Sequence, residues 1–473
     1  MKILLINPNI NQEIIYGQIK EVGNIQQPLG LAYLAAVLEE EGHKIQIIDA
    51  LIKNYDHNKT MLEAKKFEPD LIGLTSTTAG INTTIALAKI LKENVNCPII
   101  LGGAHITAIP KETMQNDCFD LGVIGEGEYT ILEIVSALEK KQDIKKESIK
   151  GVTYKKNNQI IITPKRDYIK DLDSLPLPAR HLLPNLSEYK PTPASCKNTP
   201  LGSMITSRGC VYRCIYCDRA IFGQKFRARS VNNVLEEIEY LIKDYKIKEI
   251  KFWDDTFSLD KQRVIGICKE MIKRKMKLSW TCIARVNNMD PEILKWMKDA
   301  GCWQIAYGIE SGDNHILELA KKDVTTEFIR KIVNLTKKSG IEVRGFFMLG
   351  LPGETKETMQ KTIDFAKSLP LNDASFYITT IYPNTELWGL AIKSGEARIG
   401  SWDTFSPVNP DKVTYIPKGL SEEVIKEYHK KAYRSFYFRP SYLIKRVFKL
   451  RNVKQLIWDF KGFLTLIKLK VRS

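Results

Sequence analysis

The sequence predicts an α/β protein in three parts. A parallel sheet covered by helices on both faces takes residues 1–140. A connector at 141–200 leads to a partial (β/α)6 barrel over 201–385, and a helical region fills 386–473. Three observations carry this reading. Short apolar runs alternate with stretches of helical period through the first part. The second part repeats a strand-then-helix rhythm, with polar clusters at the strand ends. The last part has helical periodicity and gathers basic residues.

Length and composition set limits. A chain of 473 residues is too long for one ordinary core. Its 44% hydrophobic and 27% charged residues describe a globular protein. Nine cysteines without paired spacing argue against a disulfide framework and for a reducing interior. The opening apolar run reads as a first strand, too short for a signal peptide. No long uninterrupted apolar stretch predicts a membrane span.

In chain order, strands are expected at 3–6, 44–48, 71–74, 98–101 and 121–124, with helices at 29–41, 81–93 and 128–140. In such sheets ligands sit beyond the carboxyl ends of the strands, at a switch in strand order. Small and polar residues stand there: Pro8-Asn9, Thr75-Ser76-Thr77, Gly102-Gly103-Ala104-His105 and Gly125-Glu126-Gly127-Glu128. Glycines permit close backbone approach to a ligand, although turns are rich in the same residues. Residues 151–163 form a hairpin around Asn157-Asn158, and the proline-containing run 171–180 is an extended linker.

Barrel strands are expected at 202–206, 250–253, 279–283, 303–307, 343–348 and 375–380, with helices at 231–245, 261–274, 291–300, 326–339 and 356–368 between them. The strands end in Asp254-Asp255, Arg285, Glu310-Ser311 and Leu349-Gly350-Leu351-Pro352-Gly353. Any one of these reads singly as a cap or surface ion pair; their recurrence on successive strand ends points to a site.

After the first barrel strand comes Cys210-Val211-Tyr212-Arg213-Cys214-Ile215-Tyr216-Cys217. Thiolates suit iron–sulfur clusters and zinc. Three cysteines leave one iron of a [4Fe–4S] cluster open to a small molecule. A structural zinc site would need a closed fourth position, and the nearest histidines, His181 and His315, are distant in sequence. Cys97, Cys118, Cys268, Cys282 and Cys302 lie in apolar surroundings and read as packed side chains.

The CxxxCxxC spacing, with Tyr216 before the last cysteine, resembles the radical S-adenosylmethionine (SAM) superfamily. Gln27-Pro28-Leu29-Gly30, Gly102-Gly103-x-His105 and Glu126-Gly127-Glu128 resemble the Rossmann-like (flavodoxin-like) cobalamin-binding domain that precedes many of its barrels. The Asp-x-His-x-x-Gly motif, whose histidine ligates cobalt elsewhere, is absent.

The resemblance implies a [4Fe–4S] cluster on Cys210, Cys214 and Cys217 that holds SAM and yields a 5′-deoxyadenosyl radical. It implies SAM contacts from Tyr216, Asp254, Asp255, Arg285, Glu310, Ser311, Leu349, Gly350, Pro352 and Gly353. Cobalamin would lie against Gln27, Leu29, Gly30, Thr75, Ser76, Thr77, Gly102, Gly103, His105, Glu126, Gly127 and Glu128, without a histidine on cobalt. The Arg439-Pro440-Ser441-Tyr442 stretch and the basic residues after it resemble the branch with anaerobic Mg-protoporphyrin ester cyclase and hopanoid or archaeal lipid-modifying enzymes.

The expected activity is methylation or other functionalisation of an unactivated carbon of a hydrophobic, lipid- or tetrapyrrole-like substrate. Oxidative cyclisation or carbon–carbon bond formation without methyl transfer is the second reading, and a non-catalytic redox sensor the third. A flavodoxin or ferredoxin is the expected electron donor.

The net charge of +16 concentrates at the end: residues 439–473 carry ten Lys or Arg and a single acid, Asp459. Apolar residues from Leu443 to Ile467 recur at spacings of three and four, one face of a basic amphipathic helix. The expected partner is an anionic membrane surface, with docking on the barrel as the alternative. No separate RNA-binding module is present, so nucleic acid is not expected. The expected location is the cytoplasm or the inner face of the cell membrane.

Overall fold

The structure, a computed structural model, describes residues 1–17, 25–140 and 148–447. The first five apolar runs form strands β1 (Lys2–Asn7), β2 (Lys44–Asp49), β3 (Leu71–Thr75), β4 (Ile99–Gly102) and β5 (Leu121–Val123). They pair in parallel in the order 2-1-3-4-5. Both faces are covered: Ile3 and Leu5 pack into one core, Leu4 and Ile6 into another, which explains runs that are apolar without alternation. Strand order reverses at β1/β3, opening a crevice at the carboxyl ends.

The expected hairpin is present as β6 (Val152–Lys156) and β7 (Gln159–Ile162). Asn157 and Asn158 both take positive φ, 50° and 61°, as a tight hairpin turn requires. Rather than standing apart, this pair extends the first sheet antiparallel to β5.

The second sheet comprises β8 (Leu201–Met204), β11 (Glu249–Phe252), β12 (Ser279–Ala284), β13 (Cys302–Glu310), β14 (Glu342–Leu349) and β15 (Asp373–Ile378). All neighbours are parallel and follow chain order, so the barrel stays open between β8 and β15. A short ladder missed in the sequence, β9 (Ser207–Arg208) with β10 (Arg227–Ala228), brackets the cysteine loop. The helices Val231–Tyr245, Lys261–Lys273, Pro291–Asp299, Thr326–Lys338 and Lys356–Ser368 begin at side-chain caps Ser230, Asp260, Asp290, Thr325 and Thr355. Their apolar stripes pack on the outward residues of the strands, where Phe252 meets Trp280 edge-on and stacks on Phe257 of the following turn.

The helix Glu422–Tyr437 closes over β15, with His429 Nε2 3.0 Å from the Phe376 carbonyl. A further helix, Pro440–Val447, follows. The basic tail beyond 447, on which the membrane-surface expectation rests, lies outside the described residues. Among the described residues no helix is long and apolar enough to cross a membrane.

Candidate active site

The cysteine loop starts at a forced turn. Gly209 has φ +84°, and a Cβ there would stand 2.4 Å from the Lys225 carbonyl oxygen. Glycine lets the chain turn beneath that carbonyl and deliver Cys210 to the barrel mouth. Cys210 Sγ lies 3.4 Å from Thr256 Oγ1 after β11. Arg285, after β12, donates from Nη1 to Cys214 Sγ at 3.0 Å and from Nη2 to the Lys322 carbonyl, and stacks 3.7 Å from the Tyr212 ring centroid. Cys217 has an accessible surface, yet burial and then the nearby Cys214, Asp255 and Cys210 push its thiol up to about 12.

The strand ends divide into two groups. Asp255 is surface-accessible, accepts from Gly209 N at 3.0 Å, and has its carboxyl raised by burial and by Asp254. Glu310 takes an uncommon φ of +67° and pairs with Lys322 Nζ at 2.7 Å, which is also 3.4 Å from the Tyr216 hydroxyl. Gly308 makes this pair possible, since a Cβ there would stand 2.4 Å from Glu310 Oε1. The 349–353 loop turns through Gly350 and Gly353, at φ +84° and +77°. Glu354 holds it by accepting from Gly350 N and Leu351 N, and burial pushes that carboxyl up to about 8.

Two expected SAM contacts have their polar atoms engaged elsewhere. Asp254 accepts from Thr206 N, Thr206 Oγ1 and Ser207 Oγ within 2.7 Å, bracing the loop after β8. Ser311 is fully buried with its hydroxyl 3.1 Å from Thr362 Oγ1, on the same side of the chain as the core residues Tyr307 and Ile309.

The first sheet presents a second concavity. Space is open above Gly30, Gly102 and Gly125, where an added Cβ would meet nothing within 4 Å. Thr77 is exposed and Thr75 half-buried at the end of β3. His105 is buried, with Nδ1 unpartnered among the described residues and its ring edge-on to Trp402 at 5.0 Å. Burial brings His105 down to about 4, so it stays neutral. Open backbone and an orphaned polar atom fit a large planar cofactor.

Other residues assigned to that cofactor have partners or close neighbours within the protein. Gln27 Oε1 accepts from buried Arg180 at 2.7 Å. Ser76 donates to the Thr77 carbonyl, Gly103 makes room for the Ser76 carbonyl, and Gly127 packs on Leu34. Leu29 is buried at the start of its helix. Glu126 and Glu128 meet Arg208 at 2.8 and 2.6 Å, and Glu126 also pairs with Arg227 at 2.8 Å. These carboxylates join the two halves of the protein.

The two concavities share an apolar wall. Ile215 and Tyr216 of the cysteine loop pack with Trp388, Trp402 and Phe405, and Trp402 reaches His105. Arg208, Lys322 and Trp402 escaped sequence analysis; only Arg208, one residue before Gly209, stood near a visible motif. Among the described residues no three Cys, His, Asp or Glu side chains converge closely enough for one metal ion. A cluster makes no such demand, because each sulfur takes a different iron.

Comparison with known proteins agrees with this division. Residues 204–366 match the family model described as the radical SAM superfamily, and 18–135 match the B12 binding domain. The chain is 38% identical to an uncharacterized methyltransferase of Pyrococcus horikoshii over 95% of both chains. It is 28% identical to the cytidylyl-2-hydroxyethylphosphonate methyltransferase of Streptomyces wedmorensis, covering 83% of this chain and 82% of the relative. It is 27% identical to the anaerobic magnesium-protoporphyrin IX monomethyl ester cyclase of Rubrivivax gelatinosus, covering 82% and 69%. The fold is shared with the radical SAM methyltransferase TsrM of Kitasatospora setae, solved with cobalamin and a [4Fe–4S] cluster, at 18% identity and TM-score 0.71 over 93% of this chain and 89% of that one.

Proposed function

Because the chain belongs to the radical SAM enzymes that carry a B12-binding domain, we propose that it methylates an unactivated carbon of a substrate with a hydrophobic body. One observation carries the reading. Arg208, two residues before Cys210, holds Glu126 and Glu128 at the end of β5, so the cysteine loop sits beside the open crevice of the first sheet. The cofactors of the family are a [4Fe–4S] cluster, SAM and cobalamin. When bound, the cluster with SAM supplies a carbon-centred radical, and cobalamin supplies a methyl group.

The chain's own residues bind, orient and shield. Cys210, Cys214 and Cys217 are the cluster ligands in this reading, and Arg285 fixes Cys214. Asp255 and the Tyr216–Lys322–Glu310 group supply polar contacts to SAM, with the 349–353 loop beside its base. Gly30, Thr75, Thr77, Gly102 and Gly125 line the cobalamin crevice. The Trp388–Trp402–Phe405 wall excludes water between the two. Half-exposed Phe346, Met348 and Tyr377 inside the barrel support a hydrophobic substrate body. A flavodoxin or ferredoxin supplies electrons, and the basic tail favours a place at an anionic membrane, which co-sedimentation with vesicles of anionic lipid tests.

The deciding experiment is anaerobic reconstitution followed by SAM carrying a deuterated methyl group, with cell extract as the source of substrate. Transfer of the label into an extract compound, lost in Cys214→Ala, supports the proposal. Deoxyadenosine with no labelled product favours cyclisation, the reaction named for the Rubrivivax relative. No deoxyadenosine from a protein with a full complement of iron sinks both.

A further inference from the structure

The interior of the second sheet is not filled as in a closed barrel. Along β14, Val343, Gly345, Phe347 and Leu349 are buried, while the alternate residues keep partial exposure. Alternation also divides β11 and β12: Ile250, Phe252, Trp280 and Cys282 pack outward in the core, which turns Lys251, Trp253 and Thr281 inward. Lys251 and Thr281 are buried, whereas Trp253, Arg344, Phe346, Met348 and Tyr377 are half-buried; a closed barrel buries its inward layers, so the half-buried residues mark a hollow beside Lys251. Two buried polar atoms on this lining, Trp253 Nε1 and Thr281 Oγ1, have no partner among the described residues.

Lys251 is the unusual member. It is 9% exposed, its ammonium donates to Ser195 Oγ at 3.1 Å and lies 4.0 Å from the Trp253 ring centroid. No carboxylate pairs with it among the described residues. Glu249, two residues earlier, is already engaged by Lys197 N, Asn198 N, Ser279 Oγ and Trp303 Nε1. Arg344 on β14 brings a second cation and is matched by Asp373 at 3.1 Å. The lumen therefore holds a cation with no direct ion pair, favoured only at a distance by Glu249, beside aromatic surface and unmet polar atoms. A buried cation is costly unless paired.

We propose that the lumen seats an anionic group of the substrate, carboxylate, phosphate or phosphonate, against Lys251. The apolar body of that substrate lies along Phe346 and Tyr377. Burial, with Arg344 nearby, brings the Lys251 ammonium down to about 7, and an arriving anion favours its charged form. Naming this pocket the substrate site rests on the function proposed above; the anion site itself rests on the lumen alone.

The test uses phenylphosphonate as the anionic probe and its neutral diethyl ester as the control. Lysines of the full chain are reductively methylated with formaldehyde and cyanoborohydride, and the Lys251 peptide is followed by mass spectrometry. The anion at ten times its Kd is expected to slow labelling of Lys251 about tenfold while the ester does not. It is also expected to raise the thermal midpoint of the wild type and of Lys251→Arg, but not of Lys251→Gln. Equal labelling with and without the anion, equal protection by the ester, or an equal thermal shift in Lys251→Gln overturns the proposal. A lysine that only tethers Ser195 gives those results. Neither readout uses cluster, SAM or cobalamin, so failed methyl transfer and a missing anion site are told apart.

Discussion

Arg285 Nη1 lies 3.0 Å from Cys214 Sγ, and the same guanidinium stacks on Tyr212 two residues before that cysteine. One side chain thus fixes the middle of the cysteine loop from the end of β12. Hydrogen bonds to cluster sulfurs are among the terms that set a cluster's reduction potential. An N–H donor stabilises the more negative, reduced form.

Arg285→Met is therefore expected to retain iron but to lower the cluster's midpoint potential. An EPR-monitored redox titration of wild type and variant reads this. An unchanged potential at full iron content would mean that Arg285 leaves the sulfur once the cluster is bound.

Arg208 is the second pivot. Its guanidinium meets Glu126 and Glu128, and all three side chains are nearly inaccessible to solvent. Removing Arg208 strands Glu128, while Glu126 keeps Arg227; leaving one partner of a buried pair unpaired costs about 3–5 kcal/mol. Arg208→Met is expected to lose stability of that order in urea unfolding. Adding Glu128→Gln should recover part of it, because the stranded charge is gone. Two losses that simply add would show that the contact carries no coupling.

These pairs mark where sequence reading stopped. Periodicity exposed both parallel sheets, because a helix-covered strand must be apolar on both sides. The Asn157-Asn158 turn was legible from local chemistry alone. Glu126 and Glu128 were not: loop carboxylates near glycine look like ligand contacts, and Arg208 stands 80 residues or more away in the chain. Ser311 followed the expected strand end, but it shares the side of Tyr307 and Ile309 and meets Thr362 of the helix layer. Lys322 comes from a loop after a short helix and meets Glu310 only through tertiary closure. The cysteine spacing needed no such help, since a single short loop carries all three.

Glu354 ties stability to pH. Burial raises its carboxyl from 4.5 to about 8, so across that window the folded protein keeps a proton that the unfolded chain releases. Stability therefore falls as pH rises from about 4.5 to about 8. Glu354→Gln keeps an acceptor for Gly350 N and Leu351 N without the titration. Its unfolding free energy is expected to lose this fall, as read from urea curves across the window. A variant with the same slope as the wild type would assign the pH dependence to other groups.

Gly102 offers the cleanest test of the crevice. It ends β4, takes no positive φ, and an added Cβ meets nothing within 4 Å. Gly102→Leu should then fold normally, with a change in unfolding free energy within about 0.5 kcal/mol, the range of substitutions that disturb no packing. The leucine side chain would project into the open space beside Thr75 and His105. Cobalamin retention after anaerobic reconstitution, read from its visible absorbance, is expected to be lost while the iron content stays at the wild-type level. The iron count separates a blocked crevice from a damaged protein, because the cysteine loop lies on the other sheet. A variant that keeps cobalamin in full would place the corrin away from β4.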